Sequence, residues 1–311
     1  MIFQTVKPMP ENITDQDRGR LLTLATTASV ATAGVLIAVK LAAWLLTGSV
    51  SVLASLIDSL MDAAASLINL FAVRYSLTPA DDEHRFGHGK AESLAGLAQA
   101  AFIAGSAVFL VMHAIDRMLH PRPIVEMQAG IAVMIFAIVA TLALLGIQRY
   151  VVRRTGSMAI RADSLHYMTD VLTNLSIIAA LVLVSFGWES SDSIFAIGIA
   201  GYILYSAWQI AHDAFQLLMD RELPEEERQR ILQIARNHAH ARGVHDLRTR
   251  QSGAEKFVQL HLELDEDLPL KQAHTIADEV DEAICTAFPT AHVIIHQDPV
   301  NIADYTVEPR S

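Results

Sequence analysis

The sequence contains a single cysteine among its 311 residues. This residue, Cys285, excludes an internal disulfide and any cysteine-rich zinc cluster, and we expect it to be a small buried side chain on a helix. Charged residues are also scarce, at 18% of the chain, against about a quarter in typical soluble domains. Because 52% of the residues are hydrophobic, the composition predicts a membrane protein with room for one small soluble domain.

Basic residues are also fewer than acidic ones. The net charge is −11, and from Arg221 onward 17 acidic residues outnumber 10 basic ones. Since binding to phosphates needs a basic face, this charge distribution disfavours nucleic acid as a partner, and none is expected. The first 20 residues are too polar for a signal peptide, so we expect insertion into the membrane to depend on the first hydrophobic span.

Long apolar runs dominate the first two thirds of the chain. They lie at about 21–47, 50–77, 91–118, 125–148, 163–187 and 191–217. Each approaches or exceeds the roughly 20 residues that a helix needs to cross a bilayer. Backbone polar groups within lipid must be satisfied inside their own segment. The sequence therefore predicts an all-α bundle of six transmembrane helices.

The basic residues of the short loops predict the orientation of these helices. Most of them fall on one side of the membrane, namely Lys7, Arg18, Arg20, Arg85, Lys90, Arg149, Arg153 and Arg154. The other side has little beyond Arg117 and Arg122. Because positive charge marks the cytoplasmic face, both termini are expected in the cytoplasm.

After Asp220 the pattern changes to that of a small soluble domain. Pro224, followed by three glutamates, predicts a helix that runs to about Arg242. Alternating residues predict strands at 244–250 and 256–265, joined by a hairpin at Gly253. A second helix is predicted at 269–288 and a third strand at 293–296. This α-β-β-α-β order predicts a ferredoxin-like α+β open sandwich.

The chain is therefore expected to have four parts. They are a cytoplasmic N-terminal segment (1–20), a six-helix transmembrane domain (21–220), a cytoplasmic metal-binding domain (221–300) and a C-terminal tail (301–311).

Two of the spans contain acids that lipid would penalise. Asp58 and Asp62 are four residues apart, and His166 and Asp170 have the same spacing, so each pair shares one helical face. Three carboxylates and an imidazole suit a tetrahedral zinc-type ion, whereas calcium needs more oxygens and copper(I) needs sulfur. The alternatives are that these residues only hydrogen-bond between helices, or that the acids pair with a base.

Two other charged residues fall in or near these spans. Asp163 is interpreted as an acid at a helix start. For Lys40, inside the first span, two interpretations stay open: snorkelling or packing between helices, and a direct role in transport.

Histidines outside the spans indicate further metal sites. The loop after the second span contains Asp81, His84 and His88, which either ligate a metal or belong to a solvated polar loop. The terminal domain adds a larger set, comprising His245, His261, His274, His296 and Asp298. On a small acidic domain this set favours metal binding.

Long segments of the chain resemble the cation diffusion facilitator family, and within it the bacterial zinc/iron efflux transporters. The segments are 58–62, 79–92, 162–166, 245–251 and 293–299, which spread over nearly the whole chain after residue 20. The resemblance implies a homodimer in the bacterial inner (cytoplasmic) membrane, with the soluble domains associating in the cytoplasm.

The resemblance also implies roles for individual residues. The transport site would be Asp58, Asp62, His166 and Asp170, and the loop site Asp81, His84 and His88. A binuclear cytoplasmic site would use His245, His261, His296 and Asp298, with His274 and Gln297 at further positions of that site. Lys90 and Asp220 match a charge interlock near the membrane surface, and Leu165 matches a hydrophobic gate.

The expected function is efflux of a divalent transition metal by alternating access, most simply Zn²⁺ in exchange for protons. Protons and metal compete for the same ligands, which is the requirement for such exchange. Zinc would be both cargo and regulator, with Cd²⁺, Fe²⁺ and Mn²⁺ as other possible cargoes. An intramembrane metalloenzyme and a membrane metal sensor are the alternatives, although the chain lacks a His-Glu-x-x-His motif and an evident nucleophile.

Overall fold

The computed structural model describes residues 14–48, 50–119, 128–185 and 191–300. They form two compact units, divided between Phe215 and Gln216. The predicted tail (301–311), most of the predicted N-terminal segment, and Arg122 lie outside the described residues.

The first unit consists of long helices, as predicted. Their bounds are α1 (Asp15–Thr47), α2 (Val50–Ser76), α3 (Lys90–Leu119), α4 (Gln128–Thr155), α5 (Met158–Ser185) and α6 (Ser191–Leu218). In the described residues, α1 to α4 are each long and apolar enough to cross a membrane. The first half of α5 contains Arg161, Asp163, His166 and Asp170, which lower its hydropathy. The arrangement is consistent with six spans.

The boundary between α4 and α5 differs from the prediction by several residues. The predicted spans end at 148 and restart at 163, whereas α4 continues to Thr155 and α5 begins at Met158. The basic residues that end α4 stay helical because a helix can project beyond the apolar layer while its charges reach water. The break falls at Gly156, whose φ of 64° is a left-handed conformation that glycine adopts without strain.

Packing within the first unit brings α2 and α5 together. α1 packs along α2 and α4, while α5 packs against α3 and α4 and also contacts α2. Gly96 of α3 allows the close approach of α5, because a Cβ atom at this position would lie 2.8 Å from Met158 Cγ.

The second unit is the α-β-β-α-β sandwich that the sequence predicts. Its elements are α7 (Glu225–Arg236), β1 (Gly243–Ser252), β2 (Glu255–Asp265), α8 (Leu270–Ala287) and β3 (Ala291–Val300). The strand order is β1-β2-β3, with β1 antiparallel and β3 parallel to β2. Helix α7 ends six residues earlier than predicted, because the chain turns at His238–Ala241 and Arg242 N–H then donates to Glu263 O at 2.8 Å.

Alternation along β2 separates the two faces of this sheet. Leu260 and Leu262 are buried in a core that includes Ile231 of α7 and Ile284 of α8. The intervening residues, such as His261, therefore point to the opposite face, here called the outer face. Within the C-terminal unit, no described helix covers this outer face.

Cys285 lies on α8, as predicted, and is partly buried. Its Sγ donates to Asp281 Oδ1 at 3.3 Å. Burial, together with the Asp281 carboxylate, raises the pKa of the thiol to about 11, which makes it a poor metal ligand.

Candidate metal sites

One cluster of potential ligands lies between α2 and α5, within the bundle. Asp62, His166 and Asp170 each offer a ligand atom, and these atoms all lie within 4.8 Å of one another. His166 Nε2 is 3.0 Å from Asp62 Oδ1, and His166 is only 5% exposed. Asp58 lies one turn before Asp62 on α2 and is more exposed, outside this group of three. The structure thus brings together three of the four predicted transport-site residues.

The neighbours of His166 restrict how its ring can move. Leu165, the predicted gate residue, is completely buried beside it. The ring of Phe102 from α3 makes an edge contact with the imidazole, with 5.9 Å between centroids. The imidazole is therefore held among apolar groups with its Nε2 directed at Asp62.

A buried polar network supports α5 next to these ligands. Asp163 Oδ2 accepts hydrogen bonds from Ser29 Oγ and Gln148 Nε2, both at 2.7 Å. The Tyr167 hydroxyl is 2.9 Å from Ser66 Oγ and donates to Ser29 O at 3.2 Å. These groups join α1, α2, α4 and α5.

The interpretation of Asp163 as a helix-start acid is therefore wrong. Asp163 is the sixth residue of α5 and is completely buried, so its partners come from other helices and not from the helix terminus.

A second buried contact, which sequence reasoning missed, fixes the start of α5. Arg18 Nη2 of α1 donates to Glu92 Oε2 of α3 at 2.9 Å, and both side chains are less than 10% exposed. The other Glu92 oxygen accepts from the N–H of Met158, also at 2.9 Å. Glu92 lies in a segment that the family resemblance includes, but nothing in that pattern identified Arg18 as its partner.

The predicted loop site is also assembled. Ligand atoms of Asp81, His84 and His88 lie within 4.8 Å of one another. His88 Nδ1 is 3.2 Å from Thr78 O. Since a carbonyl oxygen only accepts, Nδ1 is the donor in this hydrogen bond, and Nε2, 3.4 Å from Asp81 Oδ2, is the ring nitrogen that faces the other potential ligands.

Backbone hydrogen bonds stabilise the ionised form of the Asp81 carboxyl group. Its Oδ1 accepts from the N–H of His84 at 2.6 Å and from that of Glu83 at 3.0 Å. These bonds, with the bond from His84 contributing most, hold the pKa of the Asp81 carboxyl below its usual range. The carboxylate therefore stays charged and available as a ligand in mildly acidic solution.

The third cluster lies on the outer face of the C-terminal sheet. His245, His261 and Asp298 place ligand atoms within 4.8 Å of one another. His245 pairs with His261 across β1 and β2, and His261 pairs with His296 across β2 and β3. Asp298 Oδ2 is 2.7 Å from His261 Nδ1, while its Oδ1 is 3.1 Å from His296 Nε2.

Two further acids belong to this cluster and were not predicted. Glu263 Oε1 is 2.9 Å from His245 Nδ1, and Asp246 Oδ2 is 3.8 Å from His261 Nε2. Asp246 reaches the cluster because a bulge follows His245 and gives Asp246 a φ of 46°. A hydrogen bond from Arg248 lowers the pKa of the Asp246 carboxyl. The in-phase alternation of Glu263 with His261 was a signal that could have identified the first of them.

Two predicted members of the cytoplasmic site lie apart from this cluster. The His274 side chain is 68% exposed on α8, 3.3 Å from Asp278. Gln297 pairs with the buried Leu262, and so alternation directs it towards the core face. Both residues are close along the chain to members of the cluster, but Gln297 faces the other side of the sheet and His274 lies on α8, and their part in the site stays a prediction.

The predicted interlock residues lie at helix ends. Lys90 is the first residue of α3, and Asp220 follows α6 with a φ of 56°. Asp220 Oδ1 is 3.5 Å from Arg250 Nη1. Their interlock stays a prediction.

Comparison with known proteins agrees with this architecture. Residues 26–219 match the family of cation efflux transmembrane domains, and residues 223–300 match the cytoplasmic domain of cation efflux proteins. The chain is 54% identical to the cation-efflux pump FieF of Klebsiella pneumoniae over 288 residues, 93% of this chain and 96% of that protein. It is 53% identical, with the same coverage, to FieF of Escherichia fergusonii.

A solved structure of CzrB in its zinc form is also similar. It has 40% sequence identity and a TM-score of 0.24, and the match covers 26% of this chain and 93% of that one. Matches to both cation efflux domains, together with more than half identity to efflux pumps over almost the whole chain, establish that the protein belongs to the cation diffusion facilitator family of cation efflux transporters.

Proposed function

We propose that this cation efflux transporter exports Zn²⁺ in exchange for protons by alternating access. The observation that carries the proposal is the cluster of Asp62, His166 and Asp170, whose ligand atoms lie within 4.8 Å of one another on two helices of the bundle. Asp58, one turn from Asp62, supplies the fourth ligand. Carboxylate oxygens and one imidazole nitrogen suit Zn²⁺, and a site that small fits a tetrahedral ion.

Exchange with protons follows from the chemistry of these ligands. An imidazole must lose its proton, and a carboxylate must be ionised, before either binds a metal. His166 Nε2 lies 3.0 Å from Asp62 Oδ1, so either a proton or a metal ion can lie between these two atoms, and this supports competition between them. Each conformational cycle therefore carries metal outward and protons inward.

The other two clusters are proposed to regulate the transporter, within a homodimer. The outer face of the C-terminal sheet contains His245, His261 and Asp298 beside Ile294, which is 58% exposed. A homodimer is what the resemblance to the family implies, and we place its cytoplasmic contact at this face. Metal bound there would favour the associated state and so shift the population of transporters. The dimer is proposed to lie in a bacterial inner membrane with both termini in the cytoplasm.

The transport proposal is tested by zinc flux into proteoliposomes that contain the purified protein, with and without an imposed pH gradient. An outward-directed proton gradient is expected to accelerate zinc uptake, and an inward-directed one to slow it. Cd²⁺, Fe²⁺ and Mn²⁺, measured in parallel, rank the possible cargoes. Zinc flux that does not respond to either gradient would contradict proton exchange while leaving cation transport intact.

The regulatory proposal predicts that His261→Ala loses the zinc-dependent stabilisation of the dimer. His261 contacts Asp298 at 2.7 Å, so its loss removes the central ligand of the cluster. The measurement is the zinc-induced rise in melting temperature and in the dimeric fraction of the full chain. His240→Ala is the matched control, because His240 is exposed and outside the cluster. A zinc response in His261→Ala equal to that of the control would contradict the proposal.

A further inference from the structure

Lys40 is a cation in the interior of α1, and its hydrogen bonds go to α2. The ammonium donates to Ser59 Oγ at 2.6 Å and to Ser55 O at 3.1 Å. The side chain is only partly exposed. A snorkelling lysine directs its ammonium to the water layer, whereas this ammonium is bonded to the helix that contains two of the proposed ligands.

The partners of Lys40 lie directly beside these acids. Ser55 precedes Asp58 by three residues and Ser59 precedes Asp62 by three, so each partner is one helical turn from a carboxylate on a neighbouring face of α2. The hydrogen bonds to Ser55 O and Ser59 Oγ therefore hold the ammonium near the Asp58 and Asp62 carboxylates of the same helix. Within a membrane protein the effective dielectric is low, and interactions between these charges are much stronger than they are in water.

A fixed cation in this position has opposite effects on the two states of the site. When no metal is bound, two acids and one imidazole lie close together with Asp58 one helical turn away, and the ammonium offsets part of their negative charge. When a dication binds, the same ammonium repels it. Both effects disfavour the loaded site relative to the empty one, and a transporter that must release its cargo benefits from this balance.

We propose that Lys40 is a positioned counter-charge of the transport site, which keeps metal binding weak enough for release and stabilises the empty site during its return. The inference rests on the proposed function, since it assumes that Asp58, Asp62, His166 and Asp170 bind the transported ion. Lys40 is not itself a ligand. It acts through its charge and through the hydrogen bonds that hold that charge against α2.

The test compares variants that separate charge from hydrogen bonding. Lys40→Gln keeps a donor but removes the charge, Lys40→Met removes both, and Lys40→Arg keeps the charge. Ser59→Ala removes one hydrogen-bond partner and keeps the charge. Zinc binding and zinc flux are measured on the full-length protein in lipid nanodiscs and proteoliposomes. The share of binding that belongs to the transport site is the part that Asp62→Ala loses.

Both neutral variants are expected to bind zinc at the transport site at least about tenfold more tightly than the wild type, by the loss of one repulsive charge. Their maximal flux is expected to fall several-fold, because release and return become slower. Lys40→Arg is expected to bind within about threefold of the wild type, and so is Ser59→Ala, because it keeps the charge and the hydrogen bond to Ser55 O. Unchanged or weaker zinc binding in folded Lys40→Gln would overturn the inference, as would equal tightening in Lys40→Arg.

Failure of the proposed function gives a different result. If Asp62→Ala retains full zinc binding and flux, the transport site has been placed wrongly, whatever the Lys40 variants do. If Asp62→Ala loses zinc binding and zinc flux while the neutral Lys40 variants bind and transport zinc as the wild type does, the transport site is supported and the counter-charge role of Lys40 is rejected. If neither neutral variant folds while Lys40→Arg does, Lys40 is a structural tie between α1 and α2, and the inference is rejected as well.

Discussion

Replacing Asp62 with alanine is expected to reduce zinc flux by about 100-fold or more. Asp62 lies 3.0 Å from His166 Nε2, and it shares the bundle cluster with Asp170. Loss of a supporting contact to a metal ligand already costs about 10- to 100-fold in metal affinity, so loss of a ligand itself should cost at least as much. The measurement is initial zinc uptake into proteoliposomes at matched protein content.

Two controls make this result specific. His166→Ala should show a loss of the same order, because it removes the imidazole of the same site. His212→Ala, which removes an exposed histidine of α6, should retain flux close to that of the wild type. Both ligand variants should remain folded and monodisperse, since Asp62 and His166 lie outside the Asp163 network that joins the helices. Full flux in Asp62→Ala would show that the transported ion binds elsewhere.

The largest effect on stability is expected from Glu92→Ala. Removal of this side chain leaves the Arg18 guanidinium buried without its carboxylate and takes the acceptor from the N–H of Met158. Breaking one partner of a buried ion pair costs about 3–5 kcal/mol. The measurement is the free energy of unfolding, or the melting temperature, of the purified transporter in detergent.

An exposed ion pair at the same end of α1 supplies the control for this prediction. Asp17 lies 3.9 Å from Arg20 with both side chains more than half exposed, so Asp17→Ala should change the stability by less than about 1 kcal/mol. The double variant Arg18→Met/Glu92→Leu should be more stable than Glu92→Ala, because no charge is left buried. Equal stability of Glu92→Ala and the wild type would mean that water reaches Arg18.

The features that the sequence predicted are those with a local cause. Hydrophobic length predicted the long helices, and the four-residue spacings predicted the pairs Asp58 with Asp62 and His166 with Asp170. The α-β-β-α-β order followed from alternation and from turn residues such as Gly253, whose φ is 63°. Each of these patterns is set by residues close together in the chain.

The features that could not be predicted from the sequence depend on contacts between distant segments of the chain. Asp163 obtains its partners from α1 and α4, and Arg18 meets Glu92 across 74 residues of chain, so no local pattern identifies either contact. Gln297 matches a position of the cytoplasmic site by family resemblance; its pairing with Leu262 directs it to the core face, and its role in that site stays a prediction. The bulge that brings Asp246 to the outer face is likewise a property of strand pairing.

The bundle cluster takes its ligands from two different helices, Asp62 from α2 and both His166 and Asp170 from α5. One residue of axial sliding moves a helix by about 1.5 Å, while zinc tolerates ligand distances that vary by only about 0.2 Å. Metal affinity at this site is therefore expected to depend strongly on the axial position of α2 relative to α5. Under the proposed mechanism, a rearrangement that slides one helix past the other would weaken metal binding, so opening of the pathway and release of the ion would be coupled.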